Sequence, residues 1–190
     1  MDELMKYLSG FEGWEAAGEQ IISRHAFEAR LEAHDILLEP EHIPEALGFV
    51  SRGVLIATRA GGDRQERISH FIVAGDFVTD IDDFLKNRPT RVMVEAAVDS
   101  QIVFLKRETI RLLAGTLPQW DALWNKIATV GLLETVRRRS PVAGVDPKGR
   151  FLDFIQRYPG LVDQIPNKIV ALYLDMNSAT LSRIRGKCTA

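Results

Sequence analysis

Apolar positions follow two different spacings along the 190 residues. Over residues 3–8 and 14–25 they recur three or four apart, which predicts two short packing helices. Between residues 34 and 106 the pattern changes to short apolar runs separated by turn residues, which predicts a β domain. The runs are HDILL, LGFVSRGVLIAT, RISHFIV, VMVEAAV and QIVFL. Glycine accepts the backbone angles of tight turns, so Gly61-Gly62-Asp63 predicts a hairpin turn and Gly53 a second bend.

Helical spacing returns after this region. Residues 106–115, KRETIRLLAG, predict one helix, and Pro118 begins a longer one that ends in Arg137-Arg138-Arg139. An apolar stripe runs along the longer helix and comprises Trp120, Leu123, Trp124, Ile127 and Val130. A stripe of this size needs cover, either from a second copy of the chain or from its own β domain.

A hinge is expected at residues 140–144, SPVAG, where the long helix is broken. Asp146-Pro147 then begins a helix that Pro159-Gly160 ends, Pro166 opens the next helix, and a third starts at Ser178. These three helices are too short to enclose a core and should lean on the rest of the chain. We therefore predict an α+β fold with a β-rich domain at 1–118, a linking helix at 119–139 and a helical unit at 140–190.

The last two helices have the outline of a helix-turn-helix. Asn177 can cap the final helix with its side-chain oxygen, and Asp175 occupies the turn. Ala171 is small where the helices must cross, while Leu181 and Ile184 fall on one buried face. The other face turns Ser178, Ala179, Ser182, Arg183 and Gly186 outward. Two structural helices that merely close a domain are the alternative interpretation.

Composition and charge narrow the function. The chain is 46% hydrophobic, which is enough for a real core, and it has no apolar run of about 20 residues and no basic leader, so we expect a cytoplasmic protein without a membrane span. Residues 140–190 carry a net charge of +3, which leaves −5 for the remainder. A basic end on an acidic body suits a nucleic-acid reader attached to a sensing body, although ordinary surface variation is the alternative.

Other chemistry finds little support in the sequence. Cys188 is the only cysteine, and the histidines lack metal-ligand spacing, so we expect no metal and no cofactor. The histidines are His25, His34, His42 and His70. Asp80, Asp82 and Asp83 form an acidic cluster of the kind that usually caps a helix or lines a solvated edge. Because no nucleophile–base or phosphate-loop pattern is present, an enzyme is not expected.

The order of parts and several segments resemble the Crp-Fnr superfamily of transcription regulators. The resemblance covers most of the chain and is carried by AHDILLEPEH, LGFVSRGVLIAT, FIVAGDFVTDIDDFL and, at residues 181–185, LSRIR. It implies a β-roll of the cyclic-nucleotide-binding type, a dimerisation helix paired across a two-fold axis, and a reader of double-stranded DNA. The turn departs from the family, which usually has glycine where this chain has Asp175.

The resemblance also assigns candidate site residues. The DNA contacts would come from Ser178, Ala179, Thr180, Ser182, Arg183, Arg185 and Lys187. The effector pocket would include Thr79, Asp80, Thr90 and Arg91. Thr90 stands where the family has its phosphate arginine, and Arg91 would point to the opposite face of an extended segment, so we predict weak or no binding of cyclic nucleotides.

The function predicted is thus a homodimeric DNA-binding regulator with an unidentified small-molecule effector. The alternative is a ligand-binding or protein-interaction module whose DNA reader is degenerate. Asp175 at the turn, and Ala179 where the family often has glutamate, motivate that alternative.

Overall fold

The structure is a computed structural model that describes residues 1–60, 66–137 and 146–188. Two helices, α1 (Asp2–Ser9) and α2 (Ala16–His25), precede the β region. The strands are β1 (Phe27–Leu31), β2 (Ile36–Leu38), β3 (Ala46–Arg52), β4 (Val54–Ala60), β5 (Glu66–Val73), β6 (Phe77–Val78), β7 (Val92–Ala96) and β8 (Ser100–Lys106). The remaining helices are α3 (Ile81–Lys86), α4 (Arg107–Thr116), α5 (Trp120–Arg137), α6 (Pro147–Arg157), α7 (Asn167–Tyr173) and α8 (Ser178–Cys188). The predicted turn at 61–63 and the predicted hinge at 140–144 lie outside the described residues.

Two antiparallel four-stranded sheets, here called the roll, form the β region. Their strand orders are β1-β8-β3-β6 and β2-β7-β4-β5. Inward-facing side chains from both sheets make one apolar cluster, in which Val50, Leu55 and Ile102 are fully buried. The predicted mixed α and β architecture, with antiparallel sheets, is confirmed.

Most strands follow the apolar runs, but two were missed. β1 begins with Phe27, which is 43% exposed, and only Leu31 at its end packs against the apolar cluster, so backbone pairing with β8 accounts for most of the strand. β6 is two residues long and pairs with β3. The bend at Gly53 is confirmed, because its φ is +100° and an added Cβ would lie 2.6 Å from Ser100 Cα.

The apolar stripe of α5 is covered by the chain itself over the part that can be described. Trp120, Leu123 and Ile127 are buried with side chains of α1, α2, α4 and the first sheet, and Trp124 packs against the same cluster. For these residues the chain itself supplies the cover that the stripe needs, since their hydrophobic surface is already removed from water, and pairing of the helix with a second copy stays a prediction. In the first half of α5, the stripe packs against the chain's own β domain and the helices beside it.

The C-terminal unit, which comprises α6, α7 and α8, packs on the outer face of the second sheet. Val54, Ile56 and Phe71 on that face share one buried cluster with Phe154 and Tyr173 of the unit. The expectation that these helices lean on the rest of the chain is confirmed. Because both faces of β4 are buried, its run of Val54 to Ala57 is apolar without alternation.

Candidate nucleic-acid interface and ligand site

The turn between α7 and α8 is tight and held by several hydrogen bonds. Asp175 adopts φ 51°, in the left-handed region that glycine enters more readily. The backbone N–H of Met176 donates to the Ala171 carbonyl at 3.0 Å, and Arg150 Nη2 donates to the Asp175 carbonyl at 3.1 Å. Arg150, on α6, was not singled out from the sequence because its partner lies far along the chain.

The start of α8 is capped as predicted. Asn177 Oδ1 accepts a hydrogen bond from the Thr180 backbone N–H at 2.8 Å, which satisfies one of the free donors of the first turn. Leu181 is fully buried and Ile184 packs against the same cluster, while Ala171 is buried on α7. The two helices are therefore wedged together by the residues that the spacing indicated.

The outward face of α8 is open to solvent. Its exposed residues are Ser178, Ala179, Ser182, Arg183, Gly186 and Lys187. Thr180 is half-buried. The helix carries no acidic residue, so hydroxyl groups and two cations dominate this face. Such a surface matches the chemistry of a phosphate backbone and of base edges.

Arg185 differs from the other predicted contact residues. Its Nη2 lies 2.6 Å from Asp163 Oδ1, and its Nη1 donates to Asn167 Oδ1 at 3.0 Å and to the Val162 carbonyl at 3.3 Å. These bonds tie α8 to α7 and to the preceding turn. The guanidinium donors of Arg185 thus have protein acceptors, which suits a packing role, and its predicted contact with DNA stays a prediction.

The four residues predicted for an effector pocket separate into different environments. Asp80 is the N-cap of α3, and its Oδ2 accepts a hydrogen bond from Thr90 Oγ1 at 2.9 Å. Thr90 is fully buried, and its hydroxyl also accepts from the Val92 backbone N–H at 3.0 Å. Arg91 is exposed, as the alternation of an extended segment predicts. Thr90, which stands at the position of the family's phosphate arginine, is thus uncharged and engaged by the chain's own hydrogen bonds.

Thr79 is the fourth of these residues and takes no part in that network. Its Oγ1 is buried and has no hydrogen-bond partner. It borders a separate groove of about 470 Å³ between the sheets, whose walls include Phe27, Ile43 and Phe104. Asp80 is therefore hydrogen-bonded to Thr90 and lines one cavity with Arg91, while Thr79 lies in a different groove.

The acidic cluster of Asp80, Asp82 and Asp83 caps α3 and forms ion pairs with the cations at the end of that helix and just after it. Arg88 Nη2 lies 2.8 Å from Asp82 Oδ2 and 2.7 Å from Asp83 Oδ1. A hydrogen bond from Lys86 lowers the pKa of Asp82. The helix-cap interpretation of this cluster is confirmed by Asp80, whose Oδ1 accepts from the Asp83 backbone N–H.

A cavity of about 760 Å³ opens beside α3. It is lined by Pro40, Glu41, Asp80, Asp82, Asp83, Arg88, Pro89 and Arg91. Four carboxylates face two guanidinium groups, and one of those groups, that of Arg88, is already paired with two of the carboxylates. The field of this cavity disfavours an anionic ligand. Within residues 1–60, 66–137 and 146–188, no three His, Cys, Asp or Glu side chains are arranged to hold a metal ion.

Known proteins share this architecture. Residues 28–116 match the family model of the cyclic nucleotide-binding domain. A search of curated proteins found no match for the chain. None of the helices in the described part of the chain has the length and hydropathy that a membrane-spanning segment needs.

Three solved structures share the fold. The c-di-GMP responsive global regulator CLP of Xanthomonas campestris is 13% identical over 92% of this chain and 92% of its own, with a TM-score of 0.66. A cyclic nucleotide-binding domain containing protein from Listeria monocytogenes is 11% identical over 98% of this chain and 88% of its own, with a TM-score of 0.65. The catabolite activator protein of Thermus thermophilus is 16% identical over 94% of this chain and 85% of its own, with a TM-score of 0.56. At these identities the likeness is one of fold alone.

Proposed function

We propose that this chain is a dimeric, DNA-binding transcription regulator of the Crp-Fnr type. The observation that carries the proposal is the outward face of α8, which is exposed, free of acidic residues and held by a capped, wedged turn. The roll supports it in second place, since residues 28–116 match the family model of the cyclic nucleotide-binding domain and the fold is shared with the global regulator CLP and the catabolite activator protein.

Arg183 is the residue that we assign to base recognition. It is exposed on the face opposite the buried Leu181, so its guanidinium is free to enter a major groove. A guanidinium can donate two parallel hydrogen bonds to guanine O6 and N7, whereas the nearby hydroxyl groups of Ser178 and Ser182 suit phosphate or base contacts. Lys187, also exposed, suits a phosphate contact, which adds affinity without sequence preference.

Binding-site selection on random duplex DNA tests the proposal. The wild type is expected to enrich a palindrome with half-sites about 34 Å apart, one turn of duplex, because a two-fold dimer presents two copies of α8. Arg183→Ala should lower affinity for that palindrome by about 1 to 3 kcal/mol and relax preference at one base pair in each half-site. Arg111→Ala, at an exposed arginine of α4, is the matched control and should change neither.

The same experiment separates the alternative function. If the wild type enriches no palindrome, α8 is structural and the chain acts as a ligand-binding or protein-interaction module. An enriched palindrome that Arg183→Ala leaves unchanged would instead remove Arg183 from base recognition. A salt titration of the wild type adds a further check, since phosphate contacts make the logarithm of affinity fall linearly with the logarithm of salt concentration.

A further inference from the structure

Phe71 lies at the centre of the contact between the roll and the C-terminal unit. It is fully buried on β5, the edge strand of the second sheet. Its ring centroid is 5.0 Å from that of Tyr173, 5.3 Å from that of Tyr158 and 6.0 Å from that of Phe154. Ring pairs at these separations add specific geometry to the burial of apolar area.

A directional bond accompanies the ring contacts. Tyr158 Oη accepts a hydrogen bond from the Phe71 backbone N–H at 3.1 Å, and both groups are buried. The outward N–H groups of an edge strand have no strand partner, so the hydroxyl satisfies a donor that would otherwise be buried and unpaired. Breaking this contact leaves that donor unsatisfied unless water reaches it, which favours one fixed arrangement of helix against strand.

This packing leaves the outward face of α8 uncovered. In α8, Leu181 and Ile184 face the buried cluster that joins the unit to the sheet, whereas Ser182, Arg183 and Lys187 stay exposed. The C-terminal unit is therefore seated on the roll in an arrangement that keeps its proposed DNA-binding face accessible.

The packing of the C-terminal unit on the roll, centred on Phe71 and Tyr158, is here called the seat. None of its buried residues lines the cavity beside α3. Asp80 and Thr90 are satisfied by each other, and the Phe71 cluster contains neither of them. The buried cluster that joins the C-terminal unit to the roll therefore uses none of the residues that line the cavity beside α3.

We propose that Phe71 and Tyr158 are positioning residues that fix the C-terminal unit against the roll in the effector-free protein. In a dimer the two copies of α8 are then held at a set separation, so the seat determines the spacing of the DNA half-sites and binding needs no small molecule. The statement about spacing rests on the proposed function, whereas the fixed arrangement does not.

Distance measurement by pulsed electron spin resonance tests the fixed arrangement without DNA. Spin labels are placed by Ala114→Cys on α4 and Gln156→Cys on α6, both exposed, in a Cys188→Ser background. Labelled chain is mixed with excess unlabelled chain so that only distances within one chain are read. The effector-free protein should give one narrow distance distribution, which Phe71→Leu and Tyr158→Phe broaden.

Phe49→Leu provides the matched control. Phe49 is an equally buried strand phenylalanine, but it packs in the cluster with Leu4, Trp120 and Ile127 and not against the C-terminal unit. Its substitution should lower stability and leave the distance distribution narrow. A broad distribution in the wild type, or a narrow one in both seat variants, overturns the fixed arrangement.

DNA duplexes with altered half-site spacing test the second claim. For the selected palindrome, the wild type should prefer the natural spacing over a shifted one by about 100-fold, because two linked readers gain affinity only when both sites are in reach. Phe71→Leu and Tyr158→Phe should lose most of this preference while binding an isolated half-site as the wild type does. Phe49→Leu should keep it.

The two experiments separate the two proposals. A narrow distance distribution with no enriched palindrome rejects the DNA-binding function and keeps the seat. An enriched palindrome whose spacing preference survives in both seat variants rejects the role of the seat in spacing. A wild type that binds its palindrome only after addition of cyclic AMP or cyclic GMP rejects effector-free binding.

Discussion

Two arginines on α8 show how strongly a side chain's role depends on its neighbours. Arg183 and Arg185 are two positions apart, so the helix turns them toward different surroundings. Arg183 is exposed, whereas Arg185 reaches Asp163, Asn167 and the Val162 carbonyl. The same residue type therefore suits base contact at one position and helix anchoring at the other.

Replacing the two arginines should give opposite patterns. Arg185→Ala removes a partly exposed ion pair and two hydrogen bonds, so we expect it to lower the free energy of unfolding by about 1 kcal/mol. For a chain of this size that corresponds to a fall in Tm of roughly 2–4 °C. Arg183→Ala should leave Tm unchanged and lower specific DNA affinity.

Thermal unfolding followed by circular dichroism checks the stability effect, and fluorescence anisotropy with the selected palindrome and a scrambled duplex checks binding. Arg185→Ala should weaken both duplexes alike, by a modest factor. A selective loss on the palindrome with unchanged Tm would show that Arg185 contacts bases and that its bonds to Asp163 and Asn167 are given up on binding.

At the scale of elements, α3 and the segment that leads from it to β7 are joined by a network of hydrogen bonds and ion pairs. The carboxylate of Asp80 caps the helix and accepts from Thr90, while Arg88 spans Asp82 and Asp83. Each of these groups has a partner from the chain itself. A ligand phosphate at Thr90 would meet a buried hydroxyl already engaged with a carboxylate, while Arg88 is paired with Asp82 and Asp83 and Arg91 is turned to solvent.

Cyclic AMP and cyclic GMP should therefore bind weakly or not at all. Isothermal titration calorimetry at micromolar protein concentration should give no resolved binding heat for either nucleotide. A micromolar Kd would mean that Arg91 turns from solvent to the phosphate. Arg91→Ala would then abolish that binding, whereas Arg111→Ala, the exposed arginine of α4, would not.

At the scale of the whole molecule, stability should depend on pH through the contact between the roll and the C-terminal unit. The rings of Phe71, Phe154, Tyr158 and Tyr173 meet at this contact, and the hydroxyl of Tyr173 is titratable. Burial raises the pKa of Tyr173 to about 12, against an opposing effect of its hydrogen bond with Tyr158. Between the ordinary tyrosine pKa near 10 and about 12, the unfolded chain releases this proton while the folded chain keeps it. The free energy of unfolding must then fall as pH rises through that window.

Urea denaturation at a series of pH values measures this loss. The wild type should lose about 2–3 kcal/mol more than Tyr173→Phe between pH 10 and 12, from about 1.4 kcal/mol for each pKa unit. Below pH 9 the difference between the two proteins should be constant, because both states are protonated there. Equal slopes above pH 10 would contradict the buried, neutral state of Tyr173.

The proposed dimer also belongs to this scale. Ala122, Asn125 and Thr129 lie on one exposed face of α5, which their spacing of three and seven residues places together. Small side chains on that face would let a second α5 approach closely. Light scattering in reducing buffer should give twice the 21.3 kDa chain mass at micromolar concentration.

Ala122→Arg should shift this equilibrium to the monomer, since it adds bulk and charge to the proposed contact. Ala114→Arg adds the same side chain at an exposed position of α4 and should leave the dimer intact. A wild type that stays monomeric on concentration would remove the dimer, and with it the expectation of a palindromic site.

The sequence determined the elements whose causes are local. Asn177 and Asp146 cap their helices, Gly53 and Asp175 take the left-handed region, and Leu181 fills the wedge of the turn. Apart from the close approach of Ser100 to Gly53, each depends on backbone groups or side chains near it in the sequence, so spacing and residue type were enough to predict it. The resemblance of residues 181–185, LSRIR, to the Crp-Fnr superfamily then suggested the function that we propose.

Only the tertiary structure decided which groups meet across long separations. The burial of the α5 stripe by the chain itself, the engagement of Arg185 by Asp163 and the closure of Thr90 on Asp80 each depend on how distant segments pack. The hydrogen bond from Phe71 to Tyr158 joins residues 87 positions apart. A pattern along one chain shows that an apolar or charged side chain needs a partner, whereas three-dimensional packing alone chooses the partner.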